Sequence, residues 1–381
     1  MIFTQTILLG LAALAAAHPG HEEEEHRRAV ESRDVHHANK RALENCAAKL
    51  EARGHTARAI ERRKNTLEAH RDHFIAPIVK RNTTTVLDTD HEGSLNATTA
   101  ASDETYVFAD DTCTVLNPEG EVGPFYVLGE YVRSDVTDGE PGVPIVSNYQ
   151  FIDVNTCEPL AGVWADVWNA NATGVYAGVQ TDQNGNGDDA SNLNATFCRG
   201  IQQADEDGVV QFSTIFPGHY SGRTNHIHIV LHENATELAN GTISGGSVSH
   251  IGQFFWDQSL IDLVEATSPY NTNTNPVTTN AEDRVFGEQE TEDSTSDPVF
   301  NYVYFSEDDL SEGLFTWILV GINTTASYTP TYSFELTSGG GVAVDGGNPG
   351  IGGGAGAGGG FGGGGFTLPT ALPTALPTGI L

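Results

Sequence analysis

After Arg81 the 381-residue chain contains no lysine and only four arginines, Arg133, Arg199, Arg223 and Arg284. The other 14 of its 18 basic residues lie between Arg27 and Arg81. Only 11 of its 51 acidic residues precede Asn82, which leaves 40 in the remainder. A body this acidic repels polyanions, which excludes nucleic acid and anionic membrane surfaces as partners. It also makes each remaining arginine a residue to be explained. Long apolar runs are lacking too. The run Ile7–Leu14 is shorter than the ~20 residues a membrane span needs. Cysteines are few: Cys46, Cys113, Cys157 and Cys198 are too widely spaced for a cysteine-based zinc site.

What is present at the N-terminus reads as a secretory signal over residues 1–17. The apolar run is followed by Ala15-Ala16-Ala17, a small-residue cleavage site, although a basic leader is missing. Seven N-x-S/T sequons fit the same route: Asn82, Asn96, Asn171, Asn194, Asn234, Asn240 and Asn323. An even cysteine count in an oxidising compartment predicts two disulfides, with three connectivities open. The expected product is secreted and extracellular.

Five stretches follow the signal. Residues 18–39 are rich in His and Glu and read as a disordered tail. Residues 40–81 lack proline until Pro77 and space Leu43, Cys46, Leu50, Ile60 and Leu67 for helices, with Gly54 as a break. This segment is expected to pack on the main domain or on a second copy, making a homodimer. Lys80-Arg81 offers a processing site before a polar linker, 82–105. Residues 106–337 read as β, with strand candidates at 163–168, 209–215, 226–232, 299–305, 315–320 and 332–336. Turn residues between them predict a sandwich or partly closed barrel rather than an α/β sheet. The polar excursion Thr267–Asp297 reads as a surface loop or lid. Residues 338–381 form a Gly- and Pro-rich tail that cannot build a core. The fold class is therefore mainly β, a β-sandwich with an N-terminal helical segment and a disordered tail.

Three segments of the body carry chemistry. In Asn225-His226-Ile227-His228-Ile229, residues two apart on a strand share a face, so His226 and His228 project together and can share a metal. Just upstream, Pro217-Gly218-His219-Tyr220 turns the chain to present Tyr220, and Arg223 stands between that tyrosine and the histidines. An arginine here, in a body so poor in basic residues, fits an anionic substrate or intermediate. The third segment, Asn169 to Tyr176, ends a strand in a glycine turn that offers a second tyrosine.

Together these segments resemble the intradiol ring-cleavage dioxygenases, the family of catechol and protocatechuate dioxygenases, in its secreted fungal branch. The resemblance covers roughly Cys113 to Thr337 and includes Val122-Gly123-Pro124-Phe125-Tyr126-Val127, Val132-Arg133-Ser134-Asp135 and Asp153-Val154-Asn155-Thr156-Cys157-Glu158-Pro159. It implies one Fe(III) per chain held by Tyr176, Tyr220, His226 and His228. It implies Arg223 and Gln253 as active-site residues and Phe125 as a wall of the substrate pocket. Asn169 stands where a histidine often follows the tryptophan, and Val122 replaces the glutamate of the Glu-Gly-Pro motif. Neither change touches a candidate ligand.

Two phenolates and two neutral imidazoles suit a hard, highly charged ferric ion. By the resemblance, a catechol-type substrate binds as its dianion and displaces Tyr220, which accepts a proton as it leaves, while Tyr176 stays. Arg223 then stabilises charge on the ring, Gln253 orients it, and O2 cleaves between the oxygen-bearing carbons to give a muconate-type diacid. The alternative is a non-catalytic secreted β-sandwich that binds aromatic or carbohydrate ligands. A zinc or copper hydrolase built on the histidine pair lacks an acidic third ligand.

Overall fold

The computed structural model describes residues 34–70, 86–92, 108, 113–116, 122–289, 296–306 and 309–344. The signal sequence, Lys80-Arg81, the sequons Asn82 and Asn96, and the tail beyond residue 344 lie outside them.

Two four-stranded sheets form the sandwich. The first runs in the order β10 (Asn301–Tyr304), β11 (Leu314–Ile322), β2 (Pro144–Asp153) and β5 (Val209–Ile215). Its β11–β2 pair is parallel and the others are antiparallel. The second runs β4 (Arg199–Gln203), β3 (Trp164–Trp168), β6 (Ile227–Glu233) and β9 (Ser247–Phe254), all antiparallel. Between them, Tyr149, Phe151, Phe212, Ile318 and Val320 of the first sheet meet Ala165, Val167, Ile227, Ile229, Leu231 and Phe254 of the second. The period of two fixes what this leaves outside: Trp164, Asp166 and Trp168 of β3, and His228, Val230 and His232 of β6, face away from the core.

The outer face of the first sheet is covered by helices. Helical backbone runs over residues 34–44 (α1), beginning inside the stretch expected to be disordered, then Ala47–Ala52 (α2) and His55–Ala69 (α3). Gly54 provides the break, at φ 65°, a left-handed conformation that favours glycine. Leu43, Cys46 and Leu50 pack on Ile152, Val154 and Leu319, while Leu67 packs on Val146, Phe315 and Trp317. The segment thus spends its apolar stripe on its own domain.

One disulfide, Cys46–Cys157, staples this cover to the sandwich. The expected framework of two bridges is corrected. Cys198 lies in the core between the sheets, a buried thiol pushed up to about 12 by burial, whereas Cys113 packs in the separate cluster around the disulfide. The four cysteines therefore do not sort into two pairs.

The outer face of the second sheet is covered differently. Residues 122–128 cross it, ending in β1 (Val127–Leu128), which pairs with β12 (Phe334–Thr337) and through it with β13 (Gly340–Ala343). Ordered chain therefore continues past Thr337 into the start of the glycine-rich stretch. A Cβ on Gly341 would lie 2.4 Å from the Gly178 carbonyl oxygen, so the strand closes only because that residue has none. Between β9 and β10 come helices α4 (Gln258–Glu265) and α5 (Arg284–Gln289). The described part of the excursion expected as a surface loop or lid is exposed over much of its length, including residues 274–277, but it anchors itself through Tyr270, Asn280, Asp283, Val285 and Phe286, which are all buried. The buried polar anchors, Asn280 and Asp283, have hydrogen-bond partners inside the protein.

Candidate active site

Strand β6 starts at Ile227, and the outward pair His226 and His228 stands over the second sheet with its Nε2 atoms 3.0 Å apart. Tyr176, from the turn after β3, brings its Oη to 3.3 Å from both nitrogens. Three atoms in a triangle of this size are spaced as neighbours on one ion with bonds of about 2.1 Å. His226 Nδ1 lies 2.6 Å from the Thr224 carbonyl oxygen, which places the proton there and leaves Nε2 with its lone pair inward. Burial, reinforced by Arg223, holds the His226 imidazole well below its ordinary pKa, so it is a neutral donor. Burial also drives the Tyr176 phenol well above its ordinary range, and Tyr220 pushes the same way, while Arg223 and Arg199 pull it down. A phenolate here calls for a strong cation between the rings. Among the described residues no group of three or more His, Cys, Asp or Glu could hold a metal, so the two-histidine, two-tyrosine set is the candidate.

The two tyrosines differ. Tyr176 is fully buried, and its peptide is tied down by Asn184 Oδ1, which accepts from its N–H at 2.8 Å, and by Asn184 and Asn192 amides that donate to its carbonyl. Tyr220 is half-buried on a loop, its ring edge-on to Tyr176 at 5.5 Å. Arg223 Nη1 donates to its hydroxyl at 3.3 Å and Nη2 to Gln253 Oε1 at 2.5 Å, and Nε pairs with Asp283 at 2.9 Å. Gln253 reaches this place because β9 pairs it directly opposite His228. Phe125 stacks on Tyr176 at 4.9 Å and meets Tyr220 edge-on at 5.7 Å. All seven residues singled out in the sequence therefore meet in one place.

Several supporting residues were not anticipated. Trp168, opposite His228 on the other side, lies flat on its imidazole, with ring centroids 4.7 Å apart and planes 5° apart. Arg199 lies behind Tyr176, 5.8 Å from its ring, and donates to the carbonyls of Ala177 and Phe125. Its partner is the equally buried Glu130 at 3.5 Å, whose carboxyl burial pushes up to about 8 even though Arg199 pulls it down. The scarcity of arginine was the one signal that pointed to Arg199. Gly123, at φ 75°, explains the retained Gly-Pro motif: a Cβ there would stand 3.2 Å from His228 Cε1. The departure at Asn169 is absorbed by hydrogen bonds to Ala170 and Thr214.

Comparison with known proteins bears on the family of the chain. A family model described as Dioxygenase (Dioxygenase_C) matches residues 125–247, a span that holds Phe125, both tyrosines, Arg223 and both histidines. An intradiol ring-cleavage dioxygenase from Tetranychus urticae is 30% identical, with 55% of this chain and 95% of that one covered and a TM-score of 0.44. The dioxygenase domain of a dioxygenase–carbohydrate-binding fusion from Streptomyces sp. SirexAA-E is 23% identical, covering 53% and 96%, with a TM-score of 0.33. Catechol 1,2-dioxygenase from Acinetobacter sp. ADP1 is 17% identical, covering 55% and 63%, with a TM-score of 0.35. No curated protein matches. The sequence identity across nearly all of the Tetranychus urticae protein, not the superposition, carries the assignment. It sets aside the non-catalytic binding module: this chain belongs to the intradiol ring-cleavage dioxygenase family and is a ring-cleaving dioxygenase.

Proposed function

We propose that the protein is a secreted, Fe(III)-dependent enzyme that opens catechol-type rings with O2 to muconate-type diacids. The observation that carries this reading is the triangle of His226 Nε2, His228 Nε2 and Tyr176 Oη, with Tyr220 beside it. These four residues would hold one ferric ion, which supplies Lewis acidity that draws electron density from a bound catecholate and opens a ring carbon to O2.

The chain's own part follows from the geometry. Tyr176 is buried and tied at both ends of its peptide, which suits a ligand that stays. Tyr220 is half-exposed on a loop, which suits a residue that swings out, and its Oη takes a proton from the incoming catechol. Arg223 directs its fork at the space beside Tyr220 and Gln253, where it balances negative charge on the substrate ring. Phe125, stacked on Tyr176, offers an apolar wall to an aromatic face. The indole of Trp168 fixes the plane of His228.

Secretion and glycosylation belong to the same proposal. The Cys46–Cys157 bridge supports an oxidising compartment. Asn234 and Asn240 are exposed around the hairpin β7 (Thr236–Glu237) and β8 (Ile243–Ser244), and suit glycans best. The Asn171 and Asn323 amides instead donate to Glu140 and Asn39. A homodimer through the helical segment would have to use its polar outer side, since its apolar stripe is buried. The test is purification from a secreting host, then metal analysis, a visible spectrum and oxygen uptake with a panel of catechols. One iron per chain, a tyrosinate-to-iron band and uptake are expected. A colourless, iron-free protein without uptake would sink the reading.

A further inference from the structure

The excursion between α4 and β10 makes a run of contacts with the loop that carries Tyr220, Arg223 and His226. Tyr270 donates its hydroxyl to the Phe216 carbonyl at 2.7 Å, and Asn273 donates to the His219 carbonyl at 2.7 Å. The imidazole of His219 lies 2.9 Å from the carbonyl of Asn275. Thr224 donates its hydroxyl to Asn280 Oδ1 at 2.9 Å.

Asp283 goes furthest. Its side chain is fully buried. One oxygen, Oδ2, accepts from Arg223 Nε at 2.9 Å and from the Thr224 N–H at 2.8 Å. The other, Oδ1, accepts from the Val285 and Phe286 N–H groups at 2.9 and 3.0 Å, at the start of α5. Four donors on one buried carboxylate fix it rigidly. Through Oδ2 it then fixes two things that matter. The first is the Arg223 guanidinium, whose remaining nitrogens reach Tyr220 and Gln253. The second is the backbone of the reactive loop at the Thr224 N–H, just before His226.

We propose that Asp283 is a positioning residue of the ring-cleavage reaction: it aims the Arg223 fork at the substrate and anchors the reactive loop at the Thr224 N–H. The excursion is then a brace beneath the reactive loop and not a lid over it. This rests on the role proposed above for Arg223. An arginine side chain alone has many rotamers, and a buried carboxylate paired through Nε leaves both terminal nitrogens aimed in one plane. The charge of Asp283 also lowers the net positive field of Arg223, so what the pair offers the substrate is direction as much as charge.

A double-mutant cycle tests this on the full chain loaded with iron. Asp283→Asn is expected to keep the iron content and the resting visible band, because no candidate ligand is changed. Its kcat should fall by about 10²-fold, the order of loss when a catalytic group is misplaced by about 1 Å. In an Arg223→Lys background the same change should cost at most a few-fold, since the fork it aims is already gone. Parental kcat in Asp283→Asn, or a loss that multiplies fully with that of Arg223→Lys, overturns the proposal. If Asp283→Asn does not fold, Asp283→Glu replaces it. Shifting the carboxylate by one methylene must then lower kcat at unchanged iron content, and parental kcat overturns the proposal equally. A parent protein without iron, colour or oxygen uptake fails the reading of the site itself, which is a different result from an active parent with an additive cycle.

Discussion

On the outer face of the first sheet the cover is helical and mostly apolar; Arg63 is buried over Trp317, and the ion pairs sit at the rim: Arg53 with Glu158, Arg58 with Asp207, and Arg62 with Asp207 and Asp205. On the outer face of the second sheet, ionisable and aromatic groups are buried together: Asp166, Glu130, Arg199, His226 and His228 among Tyr126, Trp168 and Tyr176. Both faces arise from the same alternation along β-strands. They differ in what burial is used for. Sealing a sheet needs only apolar contact, and partly exposed ion pairs add little. Burying charge is costly unless each group is paired, and it raises every electrostatic effect nearby. Arg53, Arg58 and Arg62 of the helices thus answer the acidic body at its surface, while Arg199 and Arg223 answer a local need inside it.

The comparison breaks most sharply at the two tyrosines. Tyr176→Phe is expected to lose most of its iron and to lower kcat by about 10²–10³-fold. Tyr220→Phe should keep iron and still bind catechol, but form the complex slowly because the departing base is gone. Metal analysis and stopped-flow mixing with anaerobic catechol separate them. Equal chelation rates in Tyr220→Phe and the parent would remove its role as base.

On the helical side, the Cys46–Cys157 bridge closes a sequence separation of 111 residues. Replacing both cysteines with serine is expected to lower stability by about 3–5 kcal/mol with kcat unchanged at low temperature. A drop in kcat before unfolding would show that the helical cover reaches the site.

Between the two faces, His91 is clamped by Asp257 at 2.6 Å and Asp297 at 2.8 Å. Burial alone would lower its pKa, but the two carboxylates outweigh it and raise it to about 9. A raised folded value means a stability contribution that is full below about 6.5 and is lost as pH rises to about 9. Its upper limit is about 3 kcal/mol. Melting temperature should fall across that window, and His91→Gln should flatten the fall. An unchanged profile would show that His91 is not the linked group.

The smallest effect is expected at the rim. Arg58→Ala should cost no more than about 1 kcal/mol, less in high salt, because the side chain is largely in water. A larger, salt-independent loss would make the helical cover more like the other face.

Much of this was legible beforehand. The strand at Val209–Ile215 was readable to the residue, and the alternation through Ile227, Ile229 and Leu231 placed both histidines on one face. Strand β2 was missed because nearly all of it is buried on both sides while Ser147, Asn148 and Gln150 interrupt its apolar pattern. Strand β9 was missed for a similar reason, with Ser247, Ser249, His250, Gly252 and Gln253 leaving no clear period. Asp283 could not be singled out at all, being one acidic residue in a body full of them.

By itself the sequence determined which chemistries were available and which neighbours share a face, because those follow from residue type and the period of a strand. Only the tertiary structure decided that Tyr176 meets His226 across 50 residues, that Asp283 reaches back 60 residues to Arg223, and that Cys46 bonds Cys157. Such meetings depend on how sheets stack and which loops cross them, a property of the packed chain that no local pattern encodes.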